Sequence, residues 1–387
     1  GLAPYGSPAY LPHLEQVVRR KDDGAFELDM RYFRHHQEKL QEWPGSAPHV
    51  NRIFTPALEE LLGPARDRDA ELTQHYRDIA RSTQAMYESA FFHLLNKLHD
   101  RYGLDCIALA GGCAMNSVAN GKLYQRTAFR RCYVQSAAGD AGGAIGAAFA
   151  LWHRLDGAPR AFTMDHAYYG PRFGPNAIEA CLQARSKEME AEGCRVEKIA
   201  DEGELARRVA AAIAGGQVVG WFQGRMEWGP RALGNRSILG DPRRADMKDI
   251  LNLKIKRRES FRPFAPSILR RAVKDWFETE DDVPFMMKVF QIREARRAQI
   301  PAVTHVDGSG RLQTVTREAN PRYYRLIERF EEITGVPIVL NTSFNENEPV
   351  VCKPEEALDC FLRTRMDLLA IEDWVVTRAD AAAQASS

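Results

Sequence analysis

The amino-acid sequence predicts an α/β protein with two domains. Its 387 residues exceed the size at which a single hydrophobic core usually keeps growing. Two short apolar runs, residues 106–110 and 132–134, are each followed by a glycine turn and a helix-forming segment. Tandem units of this kind are typical of an α/β sheet with its turns at one edge. After residue 200 the alternation of helix and strand begins again, which indicates the second domain.

The segment before the first apolar run is less regular. Residues 1–80 are mixed and charged, and we interpret them as a largely helical segment with turns at residues 44–45 and 63–64. From about Thr83, apolar residues recur at intervals of three and four. This spacing predicts one amphipathic helix that ends at Gly103.

The two strand and turn units follow that helix. The run 106–110 stops at Gly111-Gly112 and predicts a strand buried on both faces. The run 132–134 leads into the glycine-rich turn 139–143. The small-residue segment 144–155 comes next and predicts a helix.

Glycine and proline become dense between residues 156 and 200, and we predict a domain junction at residues 166–200. Asp201 can then cap a helix that runs to Ala214. Residues 218–222 predict the strand after it, and Pro321 and Gly335 suit the start and end of a later helix. The last predicted elements are strands at 336–340, 368–371 and 375–376 and a helix that begins at Pro354. The predicted domains are thus residues 1–165 and 201–380, with the junction 166–200 between them and a disordered tail at 381–387.

The two glycine turns are candidate phosphate-binding loops. Glycine lets backbone N–H groups approach phosphate oxygens, and a helix that starts just after the turn adds its positive end. The same glycines also suit tight packing between a strand and a helix. Asp140 is the acidic residue of the second turn, and it fits equally well as a metal ligand beside a phosphate or as a helix N-cap.

The residues from 225 to 270 carry twelve Lys and Arg against five Asp and Glu, although the whole chain has a net charge of only +1. These cations alternate with glycine and proline, which hold arginines on fixed loops. A forked guanidinium matches phosphate or carboxylate oxygens in pairs. This combination favours a small anionic ligand over RNA.

Two short patterns extend this candidate site. Lys256 and Arg258 form a Lys-x-Arg pattern, and Ser343 and Asn345 form a Ser-x-Asn pattern. On an extended backbone, alternation places both members of such a pair on one side. Two cations, a hydroxyl and an amide could then hold a triphosphate and a small carbamoyl or carbonate group in one cleft.

The composition favours a protein of the reducing cytoplasm. The seven cysteines contain no CxxC pair, so neither a zinc site nor a disulfide framework is predicted. No apolar run approaches membrane-spanning length, and the first residues of the sequence lack the charged and then apolar layout expected of a signal peptide. We therefore predict no nucleic acid and no membrane as partners, while an oligomer is allowed.

Six ordered motifs together resemble the O-carbamoyltransferases of the nodulation-factor and antibiotic pathways, the NodU/CmcH family. The motifs are residues 1–6, 109–116, 139–146, 229–235, 262–266 and 341–345. The resemblance implies part of an actin-like (ASKHA, tRNA threonylcarbamoyl transferase-like) domain over residues 1–165. It implies a YrdC-like α/β domain over residues 201–380.

The resemblance also implies an activity. The YrdC-like domain would form carbamoyl adenylate from carbamoyl phosphate and ATP. The actin-like domain would transfer the carbamoyl group to a hydroxyl of a small-molecule acceptor, a sugar or a natural product. The catalytic residues implied by the matching tetrad are Lys256, Arg258, Ser343 and Asn345. The residues implied for ATP are Arg231, Arg262, Asn341, Gly111, Gly112, Asn116, Gly139 and Gly142.

The family pattern further implies a divalent metal, iron or magnesium, bound by Asp140 and by two histidines spaced His-x-x-x-His. None of the ten histidines has a partner at that spacing. We therefore expect an N-terminally truncated chain whose missing portion carries the two histidines.

Other functions stay open at this point. A non-catalytic scaffold that binds a nucleotide or another anion would carry the same cations. An actin-like sugar kinase would carry the same glycine turns. Carbamoyl chemistry of the hydrogenase-maturation type would bring CxxC pairs, which this sequence lacks.

Overall fold

The structure is a computed structural model that describes residues 1–43, 49–67 and 69–378. The predicted turn at residues 44–45 and the predicted tail at 381–387 lie outside the described residues. No helix in the described ranges is both long enough and apolar enough to cross a membrane.

Up to residue 134 the chain forms short elements and one long helix. In chain order they are α1 (Leu11–Val17), β1 (Val18–Arg20), β2 (Phe26–Leu28), β3 (Gln41–Glu42), β4 (His49–Val50), α2 (Pro56–Leu62), α3 (Gln74–Tyr102), β5 (Cys106–Leu109), α4 (Ser117–Gly121), α5 (Leu123–Arg126) and β6 (Arg131–Val134). The predicted end of α3 is confirmed, because Gly103 adopts the left-handed conformation that closes a helix.

Two predictions for this part are wrong. Residues 1–80 are not largely helical, since β1 pairs with β2 and β3 pairs with β4 in antiparallel ladders. The strand β5 is not buried on both faces, since its residues alternate between exposed and half-buried. In the described part of the chain β5 pairs only with β6, and this two-stranded sheet leaves β5 partly exposed.

The rest of the chain supplies most of the regular structure. Its elements are α6 (Gly142–Asp156), α7 (Pro175–Ala184), α8 (Ser186–Ala191), β7 (Cys194–Lys198), α9 (Glu202–Ala214), β8 (Val219–Phe222), β9 (Arg236–Gly240), α10 (Met247–Asp249), β10 (Ala265–Leu269), α11 (Val273–Trp276), β11 (Lys288–Gln291), α12 (Glu294–Arg297), β12 (Ser309–Val315), α13 (Pro321–Thr334), β13 (Ile338–Ser343), α14 (Pro354–Thr364), β14 (Leu368–Ile371) and β15 (Trp374–Arg378). A π-helical turn, Ile250–Ile255, follows α10.

The helix boundaries predicted in this part are confirmed at their caps. The Asp201 side chain accepts a hydrogen bond of 2.6 Å from the backbone N–H of Glu204 at the start of α9. Pro321 occupies the first turn of α13, and Gly335 ends that helix in the left-handed conformation. These caps satisfy backbone groups that a helix end leaves without partners.

The predicted junction at residues 166–200 is wrong for most of its length. The helices α7 and α8 and the strand β7 occupy residues 175–198, and β7 pairs along its length with β15. The glycine and proline that indicated a linker instead start a helix, because Gly174 is the N-cap of α7 and Pro175 is its first residue.

The chain divides into two compact units. One contains Gly1–Ile107 and Leu123–Arg131, and the other contains Ala108–Lys122 together with the chain from Cys132 onward. The division therefore does not fall at residue 165, where the sequence predicted it. Both glycine turns belong to the second unit, where Ala114 and Ala138 pack in one apolar cluster with Leu233 and Met286.

A nine-stranded mixed sheet organises the second unit, in the order β11-β12-β10-β13-β9-β8-β14-β15-β7. The pairs β10–β12 and β8–β14 are parallel, and the other pairs in this sheet are antiparallel. The helices α9 and α13 pack against each other, and their buried residues join those of α14 and the strands in one large apolar cluster.

One face of the central strands is polar even though it is buried. Ser267 on β10, Gln313 on β12 and Asn341 on β13 have at most 1% of their surface exposed, and their side chains hydrogen-bond to one another at 2.5 to 3.0 Å. Side chains two residues apart on a strand share a face. Arg311 and Ser343 therefore belong to this same polar face.

Gly234 is a position where the fold requires glycine. Its φ of +108° is a conformation that L side chains rarely adopt, and a Cβ there would overlap the ring of Tyr323. We expect Gly234→Ala to lower the free energy of unfolding by about 3 kcal/mol or more, because backbone strain and overpacking add. Urea unfolding would measure this.

Gly335→Ala is the matched control, since Gly335 also has a positive φ, of +72°, but has open space around it. We expect it to cost about 1 to 2 kcal/mol. Equal losses in the two variants would contradict the close packing against Tyr323.

Candidate active site

The loop between β8 and β9, residues 223–235, carries Arg231 and is closed by a buried carboxylate. Glu227 accepts hydrogen bonds from the backbone N–H groups of Leu233 and Asn235 at 2.7 and 2.9 Å. Its other oxygen accepts from Nε of Arg236 at 2.7 Å. Glu227 thus joins the two ends of this loop, which we call the arginine loop, with Arg231 between them.

Side chains on the polar face of the nine-stranded sheet hydrogen-bond to the backbone of the arginine loop. The side chain of Asn341 donates to the carbonyl oxygen of Ala232 at 3.1 Å, and that of Gln313 donates to the carbonyl oxygen of Leu233 at 2.8 Å. The hydroxyl of Tyr168 donates to the same Leu233 oxygen at 2.8 Å. These bonds fix the backbone of Ala232 and Leu233, the two residues that follow Arg231.

Four arginines cluster beside this loop: Arg231, Arg258, Arg262 and Arg311. Burial, and next the positive charges of the other three arginines, lower the pKa of Arg311 to about 9. Among the residues that the structure describes, none of the four forms an ion pair with a carboxylate. The charges therefore repel one another in a region of low dielectric.

Two of these guanidinium groups have unsatisfied hydrogen-bond donors. The Nε atoms of Arg231 and Arg311 are buried and make no hydrogen bond, and burial lowers the pKa of Arg231. A buried donor without a partner costs free energy. An anion between the four arginines would both satisfy these donors and neutralise the repulsion.

Arg258 and Arg262 lie on one short loop. Nε of Arg258 donates to Oδ1 of Asn252 at 2.8 Å, and Nδ2 of Asn252 donates to the carbonyl oxygen of Arg262 at 3.0 Å. The guanidinium of Arg258 also lies over the ring of Phe264, 5.0 Å from its centre. Burial, and next the charge of Arg262, lower the pKa of Arg258 to about 10.

Lys256, Ser343 and Asn345 form the second part of the candidate site. Nζ of Lys256 donates to the carbonyl oxygen of Ser343 at 2.5 Å and to the carbonyl oxygen and Oδ1 of Asn345 at 2.6 Å. The hydroxyl of Ser343 donates to the same Oδ1 at 2.7 Å. Burial, and next the charge of Arg258, lower the pKa of Lys256 to about 7. The lysine and the arginines therefore lie in one electrostatic cluster.

The backbone that presents Lys256 differs from the prediction. Lys256 ends the π-helical turn in the right-handed helical region, and Arg257 has a φ of +42°. The expectation that Lys256 and Arg258 lie on one side of an extended backbone is therefore wrong. The side chains still come together because Lys256 reaches the end of β13 and Arg258 is held by Asn252.

The two glycine turns lie close to each other in the second unit. A Cβ on Gly139 would lie 2.8 Å from Sδ of Met115, and a Cβ on Gly142 would overlap the carbonyl oxygen of Ala137. Gly111 has a φ of +97° with open space around it, and Gly112 begins a short 3-10 turn. Close packing explains Gly139 and Gly142, and a ligand role for all four glycines stays a prediction.

Asn116 and Asp140 have different local roles. Oδ1 of Asn116 accepts from the backbone N–H of Ala119 at 3.2 Å and caps α4. Asp140 is exposed, and the N-cap of α6 is Ala141 rather than Asp140. Within the described ranges no three His, Cys, Asp or Glu side chains come together as a metal site. One exposed carboxylate is not enough to hold a metal ion, and the metal role of Asp140 stays a prediction.

The sequence analysis missed Arg311, Glu227 and Asn252. Arg311 alternates with Gln313 along β12, and this polar alternation within an otherwise buried strand was the available signal. Glu227 carries the one negative side chain of the arginine loop. Asn252 gave no signal, because its role depends on the π-helical turn.

Two protein-family models match this chain. A family model described as "Carbamoyltransferase N-terminus" matches residues 1–149, and a model described as "Carbamoyltransferase C-terminus" matches residues 210–378. Together they cover well over half of the chain.

Several curated proteins are similar over long stretches. An uncharacterized protein of Synechocystis sp. is 43% identical over 98% of this chain and 63% of its own length. Nodulation protein NolNO of Sinorhizobium fredii is 40% identical over 98% of this chain and 52% of its own length. The 3'-hydroxymethylcephem-O-carbamoyltransferase of Amycolatopsis lactamdurans is 33% identical over 69% of this chain and 48% of its own length. The chain thus spans about half to two thirds of the length of these relatives.

The buried ion pair of the arginine loop can be tested by stability. The side chains of Glu227 and Arg236 are 0% and 9% exposed, so Glu227→Gln leaves a buried guanidinium without its counter-charge. We expect a loss of about 3 kcal/mol in the free energy of unfolding, measured in urea. Glu332→Gln removes the exposed partner of Arg329 and should cost less than about 1 kcal/mol. A loss below 1 kcal/mol in Glu227→Gln would show that the pair does not brace the loop.

The lowered pKa of Lys256 predicts a pH dependence of stability. Its folded pKa of about 7 lies below the ordinary value of 10.5, so between these values the unfolded chain binds one more proton. The free energy of unfolding should therefore rise with pH above 7, by at most about 1.4 kcal/mol per pH unit. Urea unfolding of the wild type and of Lys256→Met from pH 6 to 8.5 would test this. The variant should lack this rise, and parallel pH profiles would refute the assignment.

Proposed function

Because the chain belongs to the carbamoyltransferase family, we propose that it forms carbamoyl adenylate from carbamoyl phosphate and ATP and takes part in carbamoyl transfer to a hydroxyl. The supporting observation is the cluster of four arginines with two buried, unpartnered Nε atoms. A cluster of this kind stabilises a polyanion more than any neutral ligand.

The proposed adenylation uses one water molecule. An oxygen of the carbamoyl group bonds to the α-phosphorus of ATP, the bond between the α- and β-phosphates breaks, and pyrophosphate leaves. Hydrolysis of carbamoyl phosphate releases its phosphate and consumes the water molecule. The products are carbamoyl adenylate, pyrophosphate and phosphate. In the second step the acceptor oxygen takes the carbamoyl group and AMP leaves.

The cations are suited to the first step. Carbamoyl phosphate and the triphosphate of ATP are both anions, so they approach each other only where positive groups neutralise them. Arg231 and Arg311 project from an anchored loop and from a strand, which limits their reorganisation. We propose that they bind phosphate oxygens, and that Arg258 and Arg262 complete the set.

Lys256, Ser343 and Asn345 would hold the carbamoyl end. The Lys256 amine is held on oxygens of Ser343 and Asn345, which leaves the Ser343 hydroxyl beside a cation. On ligand binding the Ser343 hydroxyl would turn from Oδ1 of Asn345 and donate to a carbonyl oxygen of the ligand. We further propose that residues 201–378 form a YrdC-like domain and that the first part of the chain contributes to an actin-like transfer domain.

A relative supports the class of acceptor. The name 3'-hydroxymethylcephem-O-carbamoyltransferase describes carbamoyl transfer to an oxygen of a small molecule. We therefore propose a hydroxyl of a sugar or another natural product as the acceptor of this protein. Cellular location in the cytoplasm remains part of the same proposal.

Pyrophosphate release tests the proposal. We expect release that requires both ATP and carbamoyl phosphate, with Arg311→Met roughly tenfold or more slower because a charged hydrogen bond to the ligand is lost. Arg329→Met is the matched control, since Arg329 pairs with Glu332 on the exposed side of α13, and it should leave the rate unchanged.

Two other outcomes would contradict the proposal. ADP as the product would indicate a kinase. ATP binding by calorimetry without any turnover would indicate a non-catalytic scaffold.

A further inference from the structure

His305 lies at a tight turn that leads into β12, next to the arginine cluster. Its backbone N–H donates to the carbonyl oxygen of Ser309 at 2.8 Å, and the N–H of Gly308 donates back to the carbonyl oxygen of His305 at 2.9 Å. Arg311 follows two residues after Ser309 on the same face of the strand. Burial lowers the pKa of His305 to about 4, and the charges of Arg311 and Lys248 act in the same direction. The imidazole is therefore neutral at pH 7.

The hydrogen bonds around His305 determine which ring nitrogen carries the proton. The hydroxyl of Ser309 donates to Oδ1 of Asp307 at 2.6 Å, because an ionised carboxylate can only accept. The same hydroxyl lies 3.3 Å from Nδ1 of His305 and must accept there, since its one proton is already used. Nδ1 is therefore protonated, and Nε2 has a free lone pair.

That lone pair has no partner in the part of the chain that the structure describes. His305 as a whole is half-buried, but its Nε2 atom is shielded from solvent and makes no hydrogen bond. The charged side chains that interact with this ring are Arg311, Lys248 and Asp307. The cationic side chains around it can bind only oxygen atoms of a ligand. Nε2 can only accept a hydrogen bond, so it suits an N–H group of a ligand.

We propose that Nε2 of His305 accepts a hydrogen bond from the amide N–H of the carbamoyl group and so makes His305 a specificity-determining residue. This inference rests on the proposed function, because it requires carbamoyl phosphate as the ligand. Arginine and lysine recognise the oxygens of any acyl phosphate, so they cannot distinguish an amide from a methyl group. An acceptor buried in the site rejects a ligand without the N–H, since the acceptor is then left unpaired.

Adenine also carries N–H donors, in its 6-amino group. The surroundings of His305 favour the carbamoyl group, because Arg311 and Lys248 suit phosphate and carbonyl oxygens rather than a flat purine ring. The two sources can be separated by experiment, since acetyl phosphate lacks only the carbamoyl amine and purine riboside triphosphate lacks only the adenine amine.

The test compares dissociation constants of carbamoyl phosphate and acetyl phosphate by calorimetry. For the wild type we expect acetyl phosphate to bind roughly tenfold more weakly or worse. His305→Leu should reduce this ratio to about 1 to 2, mainly by weakening carbamoyl phosphate. His305→Gln, whose side-chain oxygen can replace Nε2 as acceptor, should restore part of the ratio. The exposed His36 provides the control, and His36→Leu should leave the ratio unchanged.

Ser309→Ala gives a second test that does not remove the imidazole. Without the Ser309 hydroxyl the proton is no longer held on Nδ1, and we expect the ratio to fall several-fold. A ratio that stays at the wild-type value in both His305→Leu and Ser309→Ala would overturn the proposal. A loss of discrimination between ATP and purine riboside triphosphate, with the acyl phosphate ratio unchanged, would overturn it in favour of adenine.

The failure of this inference can be told from the failure of the proposed function. If the wild type releases no pyrophosphate from ATP and carbamoyl phosphate, the proposed function fails. If the wild type releases it and the variants keep the full discrimination, only the assignment of His305 fails.

Discussion

Mutual repulsion of four guanidinium groups is the constraint on which the rest of the second unit depends. The charges of Arg231, Arg258 and Arg262 lower the pKa of Arg311, and the charge of Arg262 lowers that of Arg258. In the described residues no carboxylate pairs with any of the four. Without a ligand this arrangement is destabilising. It persists because a large apolar cluster and a fully buried carboxylate at Glu227 hold the surrounding backbone. Stability gained in the core thus maintains a group of charges that is unfavourable without a ligand, as the proposed anion binding requires.

The side chains that hold the arginine loop are polar and buried, so their contacts to the loop are directional. Asn341, Gln313 and Ser267 hydrogen-bond to one another, and Asn341 and Gln313 also hold the backbone carbonyl groups of the arginine loop. An apolar sheet face would bury more hydrophobic area, but it would offer no directional contact to the loop. Buried hydrogen bonds are directional, so they favour one geometry. The sequence signal for this network is weak, because each member is an isolated polar residue in an apolar strand.

The sequence was informative where a local rule decides the structure. The caps at Asp201 and Gly335 follow from backbone groups that need partners, and both were predicted. The junction at residues 166–200 failed because Gly174-Pro175 is as suited to a helix start as to a linker. The arginines were recognised as a cluster because they alternate with glycine and proline. Arg311 was missed because it joins them only through the pairing of β12 with β10, and a long-range pairing is not written in local spacing.

The π-helical turn before Lys256 has a consequence for how this site can change. A π-turn contains one residue more than an α-helical turn of the same span. If the same six residues from Ile250 to Ile255 were wound as an ordinary α-helix, Lys256 would turn by about one residue, or roughly 100°, around the axis, away from the end of β13. The direction of this amine is therefore set by the π winding of the segment, and a substitution that favours α-helical winding there would displace the amine without touching it.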